Sequence, residues 1–333
     1  MGQAGAGHSK RMMRAIVQEG YGSADVLRLR EIDVPVHAAD GVLVSVRAAS
    51  VNAADSHLVH MPFPARVVFG FAMPKMPIRG TDVAGVVEAV GANVTRFKPG
   101  DEVFGVARGS FAEFAGTTED RLVPKPGRLT FGQAAAVPLA GITALQGLRD
   151  KAAVRPGQRV LIHGAGGGVG TFAVQIAKAL GAHVTAVTST RNLDLVRSTS
   201  PDELIDYTQE DFTRRGERYD VFFDVAANRS LLECHRVLTP NGVFVLAGAA
   251  KGGMGAIVWR LLSMSALSRF VKQRMFTFMA RTNHDDLVAL AALIESGQVS
   301  PVIDCEYSLS KVPEAVRYLK SGQARAKVVI NVG

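Results

Sequence analysis

Residues 12–125 carry short β-branched stretches broken by Gly and Pro: MRAIVQEG, VLRLREIDVP, GVLVSVRAASVN, VAGVVEAVG, GDEVFG and FAEFAG. Runs of this length, bounded by turn formers, predict strands, and their number predicts an all-β, barrel-like region. From about Thr130 the texture changes. Helical spacing in LTFGQAAAVPLAGITALQGLRD and GTFAVQIAKALG alternates with the apolar runs VLIHG, HVTAVT, YDVFFDV and GVFVLAG. Alternating strand and helix predicts a parallel, doubly wound α/β sheet. The final segment mixes textures again, with helix DDLVALAALIESG, strand-like VSPVIDCEYSL, helix VPEAVRYLKSG and strand AKVVINV. No internal repeat or low-complexity segment interrupts this order.

One stretch stands apart: HGAGGGVG, residues 163–170, follows directly on Val160, Leu161 and Ile162. Val169, Phe172, Ala173, Ile176, Ala177 and Leu180 then recur at helical spacing, so the glycines sit at a helix N-terminus. Strand, glycine turn and helix amino end together form an anion site for the pyrophosphate of a dinucleotide. The spacing is Ala165-x-Gly167-x-x-Gly170, with Ala165 in place of the first fingerprint glycine, and a purely structural turn is the alternative. The next strand, His183 to Val187, should end near the adenosine ribose, where NAD-specific sites place an acid. That corner reads Thr188, Ser189, Thr190, Arg191, with no acid until Asp194. Hydroxyls and a guanidinium favour a 2′-phosphate and hence NADPH, unless Arg191 simply projects into water.

Composition narrows the class without changing this picture. The 333 residues are 47% hydrophobic and 20% charged, an ordinary globular mixture sized for about two domains. The net charge of +8 comes from 38 basic and 30 acidic residues spread along the chain, which suits an anionic small molecule better than nucleic acid. Two isolated cysteines, Cys234 and Cys305, fit a reducing, cytoplasmic setting and supply no zinc lobe. No apolar run reaches the roughly eighteen residues of a membrane span, and residues 1–11 read as a flexible leader without a signal-peptide core.

SVNAAD (50–55), GTDVAGVVEAVGANVTRFKPGDEVFG (80–105), AAVPLAGITALQGL (135–148), the glycine loop, IDYTQEDF (205–212) and ARAKVVINV (324–332) occur in that order. In them the chain resembles the medium-chain dehydrogenase/reductases, in the zinc-free, zeta-crystallin-like branch of quinone oxidoreductases. The resemblance implies a GroES-like β-barrel catalytic domain from residues 12–130 and 285–333. A Rossmann cofactor-binding domain, 131–284, is inserted between those parts, with the cofactor in the cleft. Alcohol dehydrogenases of that superfamily place zinc ligands where this chain has Asn52 and Thr81, so no metal is expected. His57 and His60 beside Asp55 offer no third ligand at useful spacing and read better as surface or cleft histidines.

The resemblance also assigns roles. Gly167, Gly168, Val169 and Gly170 should cradle the pyrophosphate, and Ser189, Arg191 and Tyr207 should meet the adenosine end, with Tyr207 as a core aromatic the alternative. Ala247 and Gly248 end a strand facing the nicotinamide half. Arg325 and Lys327 match a basic pair reaching toward the cofactor, or form an exposed strand-end pair. Asn52, Asp55 and Thr143 are the catalytic candidates, though Asn52 and Asp55 could equally tie down loops. His163 reads as a strand-end residue. Apolar cleft walls are expected in 61–77 and 258–280, where Trp259, Leu262, Leu267, Phe270, Met275 and Phe278 stand; ordinary packing, a dimer contact or a membrane surface are alternatives for the second.

Without a metal Lewis acid, an already electrophilic acceptor suits the site, so the expected activity is NADPH-dependent hydride transfer to a small hydrophobic quinone or α,β-unsaturated carbonyl. Zinc-independent alcohol dehydrogenation and an NADPH-binding regulatory protein with little turnover remain alternatives. A homodimer is expected.

Overall fold

The computed structural model describes residues 11–61, 74–248, 263–264 and 271–333. The chain folds as two compact units: Met1–Lys125 with Glu306–Gln323 and Val328–Gly333, and Pro126–Cys305 with Ala324–Lys327.

The first unit is built around β3 (Gly41–Val51), the longest strand, which pairs antiparallel with β4 (Asp82–Val90), β6 (Phe114–Thr118) and β15 (Lys327–Asn331). The sheet runs on through β5 (Glu102–Val106) to β7 (Leu122–Pro124), and β14 (Ile303–Ser308) flanks β15. β1 (Met12–Gln18) and β2 (Leu27–Asp33) form a separate antiparallel pair. Nearly every residue of β3 is buried. Its run GVLVSVRAASV therefore behaves as a strand covered on both faces. The β3–β4 register sets Ser50 opposite Asp82.

The second unit holds a six-stranded sheet of β8 (Arg159–His163), β9 (His183–Thr188), β10 (Glu203–Asp206), β11 (Tyr219–Asp224), β12 (Leu238–Leu246) and β13 (Arg274–Thr277). Its order is β10-β9-β8-β11-β12-β13, every pairing parallel. This is the 3-2-1-4-5-6 order of a doubly wound dinucleotide fold, whose direction reverses between β8 and β11. Phe222 anchors one face of the core, edge-on to Phe244 at 5.3 Å and to Phe212 at 6.0 Å. The helix Gly168–Ala179 buries Phe172, Ala173, Ile176 and Ala177 completely, the face its spacing predicted.

The boundaries differ from those expected. Helix His284–Glu295 lies in the second unit, not with the barrel from residue 285 onward. Its Leu287, Leu290 and Ile294 are fully buried, and its Asp286 accepts bonds from Gln146 Nε2 and Arg149 Nη2, each at 2.6 Å. An amphipathic helix shows that it has a buried face, but not which unit covers it. Residues 1–10 of the expected leader lie outside the described residues, whereas Arg11 is ion-paired with Glu88. Of the two expected apolar walls, 62–73, Trp259, Leu262, Leu267 and Phe270 also lie outside them. Within the second wall, Met275 belongs to β13 and packs on the core, and Phe278 lies against Gly147. No helix among the described residues is long and apolar enough to cross a membrane.

Candidate active site

The glycine loop leaves β8 through a tight turn at Gly164, whose φ of 86° only glycine adopts without strain. Gly164 and Ala165 both donate backbone hydrogens to Val187 O at 3.1 Å. Ala165 is fully buried and has no positive φ, so its methyl carries none of the conformational cost a left-handed position would impose. The loop closes with Gly167 N donating to Gly164 O, and the helix begins with Thr171 N donating to Gly167 O. Gly168, Val169 and Gly170, the first helical residues, therefore lack intrahelical acceptors for their N–H groups.

Added methyl groups separate the roles of these glycines. At Gly170 a Cβ would stand 2.2 Å from Gly164 O and 2.7 Å from Ala165 Cα, so internal packing alone forbids a side chain there. At Gly167 nothing lies closer than Gly164 O at 3.5 Å. Packing among the described residues thus gives no reason for a glycine at 167, which caps the helix amino end. A diphosphate seated against the backbone supplies that reason, and the residues present fit a dinucleotide.

The tail reinforces the loop. Ala326 N donates to Gly166 O at 2.8 Å and Ala326 bridges Gly167, while Lys327, only 3% exposed, runs its stem beside Gly168. The stem of this lysine thus packs against the first residue of the helix. Arg325 behaves otherwise. Its Nε donates to Asp304 Oδ1 at 3.2 Å and its backbone N to Oδ2 at 2.8 Å. The expected basic pair therefore splits, with only Lys327 brought to the loop. Ala326 adopts φ 52°, which breaks the extended alternation that would have put both side chains on one face.

At the ribose corner β9 ends at Thr188, followed by half-buried Ser189 and exposed Arg191. Tyr207 is 42% exposed with its backbone N on Thr188 O at 3.0 Å, so it is no core aromatic. In chain order no acid follows Thr188 until Asp194, but strand pairing adds Asp206 to the same corner. This residue ends β10 in register with Thr188 and accepts a 2.5 Å bond from Thr190 Oγ1. Sheet pairing, invisible in the local sequence, brings it there. The hydroxyls of Thr190, foremost, and Thr208 hold the Asp206 carboxyl below the usual carboxylate range.

Where the strand order reverses, His163 and Asp224 end the parallel neighbours β8 and β11 side by side, with His163 Nδ1 2.9 Å from Asp224 Oδ1 and both buried. Asp224 Oδ1 also accepts Ala227 N at 2.9 Å. Ala247 and Gly248 follow β12, their N–H groups on Asp224 O. A Cβ at Gly248 would lie 1.9 Å from Val225 O, so strand-end packing accounts for this glycine. His163 is thus more than a strand terminus: it fixes the carboxyl edge on which the glycine loop rests.

In the first unit Asn52 precedes the helix Ala53–Val59, its backbone N accepted by Asp55 Oδ2 at 2.8 Å in a capping arrangement. Its Nδ2 donates to Asp82 Oδ2 at 2.9 Å, which also accepts Ser50 Oγ at 2.7 Å. Asp82 is fully buried, and only the β3–β4 register reveals it as Asn52's partner. An amide turned on a carboxylate and the Thr81 hydroxyl do not fit a zinc site that calls for thiolate and imidazole. His57 is exposed and His60 Nδ1 lies 2.8 Å from Ser56 O. Among the described residues no three His, Cys, Asp or Glu side chains converge on a metal position. In the second unit the Thr143 hydroxyl donates to Leu139 O at 2.7 Å, one turn before the helix widens into a π-turn at Gln146–Lys151. Helical spacing alone gave no sign of that widening, a feature frequent at functional sites.

Two family models match the chain: an alcohol dehydrogenase GroES-like domain over residues 38–127, and a zinc-binding dehydrogenase domain over residues 201–330. The chain is 36% identical to a 2-methylene-furan-3-one reductase of Solanum lycopersicum and 35% identical to an NADPH-dependent alkenal/one oxidoreductase, chloroplastic, of Arabidopsis thaliana. Each match covers 96% of this chain and 79% of the relative. The structure of the quinone oxidoreductase from Coxiella burnetii superposes with a TM-score of 0.85 at 28% identity, covering 97% of this chain and 100% of that one. With its sheet order, glycine loop and these likenesses, the chain belongs to the medium-chain dehydrogenase/reductase family, in its quinone oxidoreductase branch.

Proposed function

We propose that this protein is an NADPH-dependent, zinc-independent reductase of quinones or α,β-unsaturated carbonyl compounds. The observation that carries the proposal is the glycine at 167, which packing among the described residues does not require, at a helix amino end with the stem of the buried Lys327 beside the next residue. Bound there, NADPH supplies a hydride. Gly168, Val169 and Gly170 would hold its diphosphate through N–H groups, Gly167 would leave it room, and Lys327 would add charge. Ser189, Arg191 and Tyr207 would meet its adenosine end. The relatives named above, a 2-methylene-furan-3-one reductase, an NADPH-dependent alkenal/one oxidoreductase and a quinone oxidoreductase, support this substrate class.

Asn52 and Thr143 are the polar groups proposed for the reacting end. Asp82 and Asp55 fix Asn52, while the Thr143 hydroxyl, its hydrogen on Leu139 O, faces a partner as an acceptor, so neither is a titrating group. The cysteines form no disulfide, which suits the reducing cytoplasm included in this reading. A homodimer also belongs to it: the six-stranded sheet ends at β13, whose outer edge pairs with no described strand.

Steady-state oxidation of NADPH against a panel of quinones and enones tests the proposal. Turnover that survives chelators and prefers NADPH to NADH is expected, and Arg191→Ala should reduce that preference by about tenfold or more through loss of charge-assisted bonds to the 2′-phosphate. Tight NADPH binding without turnover on any acceptor would remove the enzymatic half of the proposal.

A further inference from the structure

We propose that Asp206 is a masked acid whose shielding by Thr190 and Thr208 sets the preference of the ribose corner for NADPH over NADH. The inference rests on the cofactor assignment above and names the device that enforces it. In doubly wound folds an acid at the end of the second strand accepts the ribose hydroxyls of NAD. Here the second strand, β9, ends without one, but its parallel neighbour β10 brings Asp206 level with Thr188.

That carboxylate is already engaged. It has about four acceptor positions. Thr190 Oγ1 occupies Oδ2 at 2.5 Å, while Thr208 Oγ1 and Thr208 N occupy Oδ1 at 2.7 and 2.9 Å. The two hydroxyls are themselves 2.7 Å apart. Two consequences follow from chemistry alone. A carboxylate with three of its roughly four positions taken cannot accept both hydroxyls of an NAD ribose. Donor hydrogens set against its charge also reduce the field that would otherwise repel a 2′-phosphate. Arg191, the residue after Thr190, places a guanidinium on the same turn. One short segment thus quiets an acid and supplies a cation.

Calorimetric titration of the full chain with NADPH and with NADH, at one fixed ionic strength, tests the device. The wild type should prefer NADPH. Thr190→Val with Thr208→Val should lower the NADPH:NADH affinity ratio by on the order of tenfold, the size expected of an exposed carboxylate within a Debye length of a phosphate. Adding Asp206→Asn to that pair should return the ratio to within about threefold of wild type. An unchanged ratio in the double variant, or no recovery in the triple, overturns the proposal, because the threonines would then act by touching the cofactor rather than by covering an acid. Should the double variant fail to fold, Asp206→Glu, which carries the carboxylate a methylene beyond the hydroxyls, must lower the ratio instead. A wild type that binds neither cofactor, or prefers NADH, fails at the cofactor assignment itself and is told apart from a failure of the mask by that first titration.

Discussion

Gly167→Ala is expected to leave the fold intact and weaken NADPH binding by about tenfold or more, while Gly170→Ala should destabilise the protein itself. The contrast follows from where each methyl would go. At 167 the backbone sits at φ −91° and ψ 173°, which any residue adopts, and among the described residues beyond its chain neighbours the nearest atom to an added methyl is Gly164 O at 3.5 Å. Reduced chain freedom on unfolding would, if anything, raise stability by about 0.4–1 kcal/mol. The only loss is the space a diphosphate needs. At 170 the methyl meets Gly164 O at 2.2 Å, and backbone on both sides prevents a cheap shift. Overpacking of this kind costs about 1–3 kcal/mol or more. Urea unfolding and NADPH titration of both variants read the two effects separately. Equal binding loss with equal destabilisation in the two would mean that position 167 is a packing glycine too.

Asp224→Ala is the second large effect, a destabilisation of about 3 kcal/mol or more, because it strips a buried partner from His163 and leaves Ala227 N–H without its acceptor. Asp224→Asn keeps an oxygen for both groups and should cost far less. The His163 ring packs against Phe212 and Phe222, at 5.1 and 6.0 Å between centroids, so losing the carboxylate leaves it beside apolar rings. The damage reaches function through the scaffold: this pair joins β8 to β11 at the point where the strand order reverses, directly before the glycine loop. Thermal or urea unfolding checks it, and an alanine variant as stable as wild type would show that the pair is incidental.

Local patterns revealed the glycine loop and the parallel sheet around it, because glycine spacing and helical periodicity act over a few residues. Long-range pairing produced what they could not show. Asp206 reaches the ribose corner only through the β9–β10 register, and Asp82 reaches Asn52 only through β3–β4. Lys327 and Arg325 look equivalent in ARAKVVINV, yet a left-handed Ala326 sends one to the loop and the other to Asp304. Helix His284–Glu295 displays its apolar stripe plainly, while the polar network that assigns it to the second unit depends on Gln146 and Arg149, far away in sequence. The short strand β13 was hidden inside an apolar, basic stretch that suggested a cleft wall.

The most direct measurement of the central claim uses NADPH carrying deuterium at both C4 positions, an enone acceptor and mass spectrometry of the product. Hydride delivery to the conjugated double bond predicts a product bearing deuterium on carbon, formed in step with NADP⁺, with the second hydrogen drawn from solvent. Oxidation of the cofactor without deuterium in the product, or no oxidation at all with the cofactor bound, would contradict it.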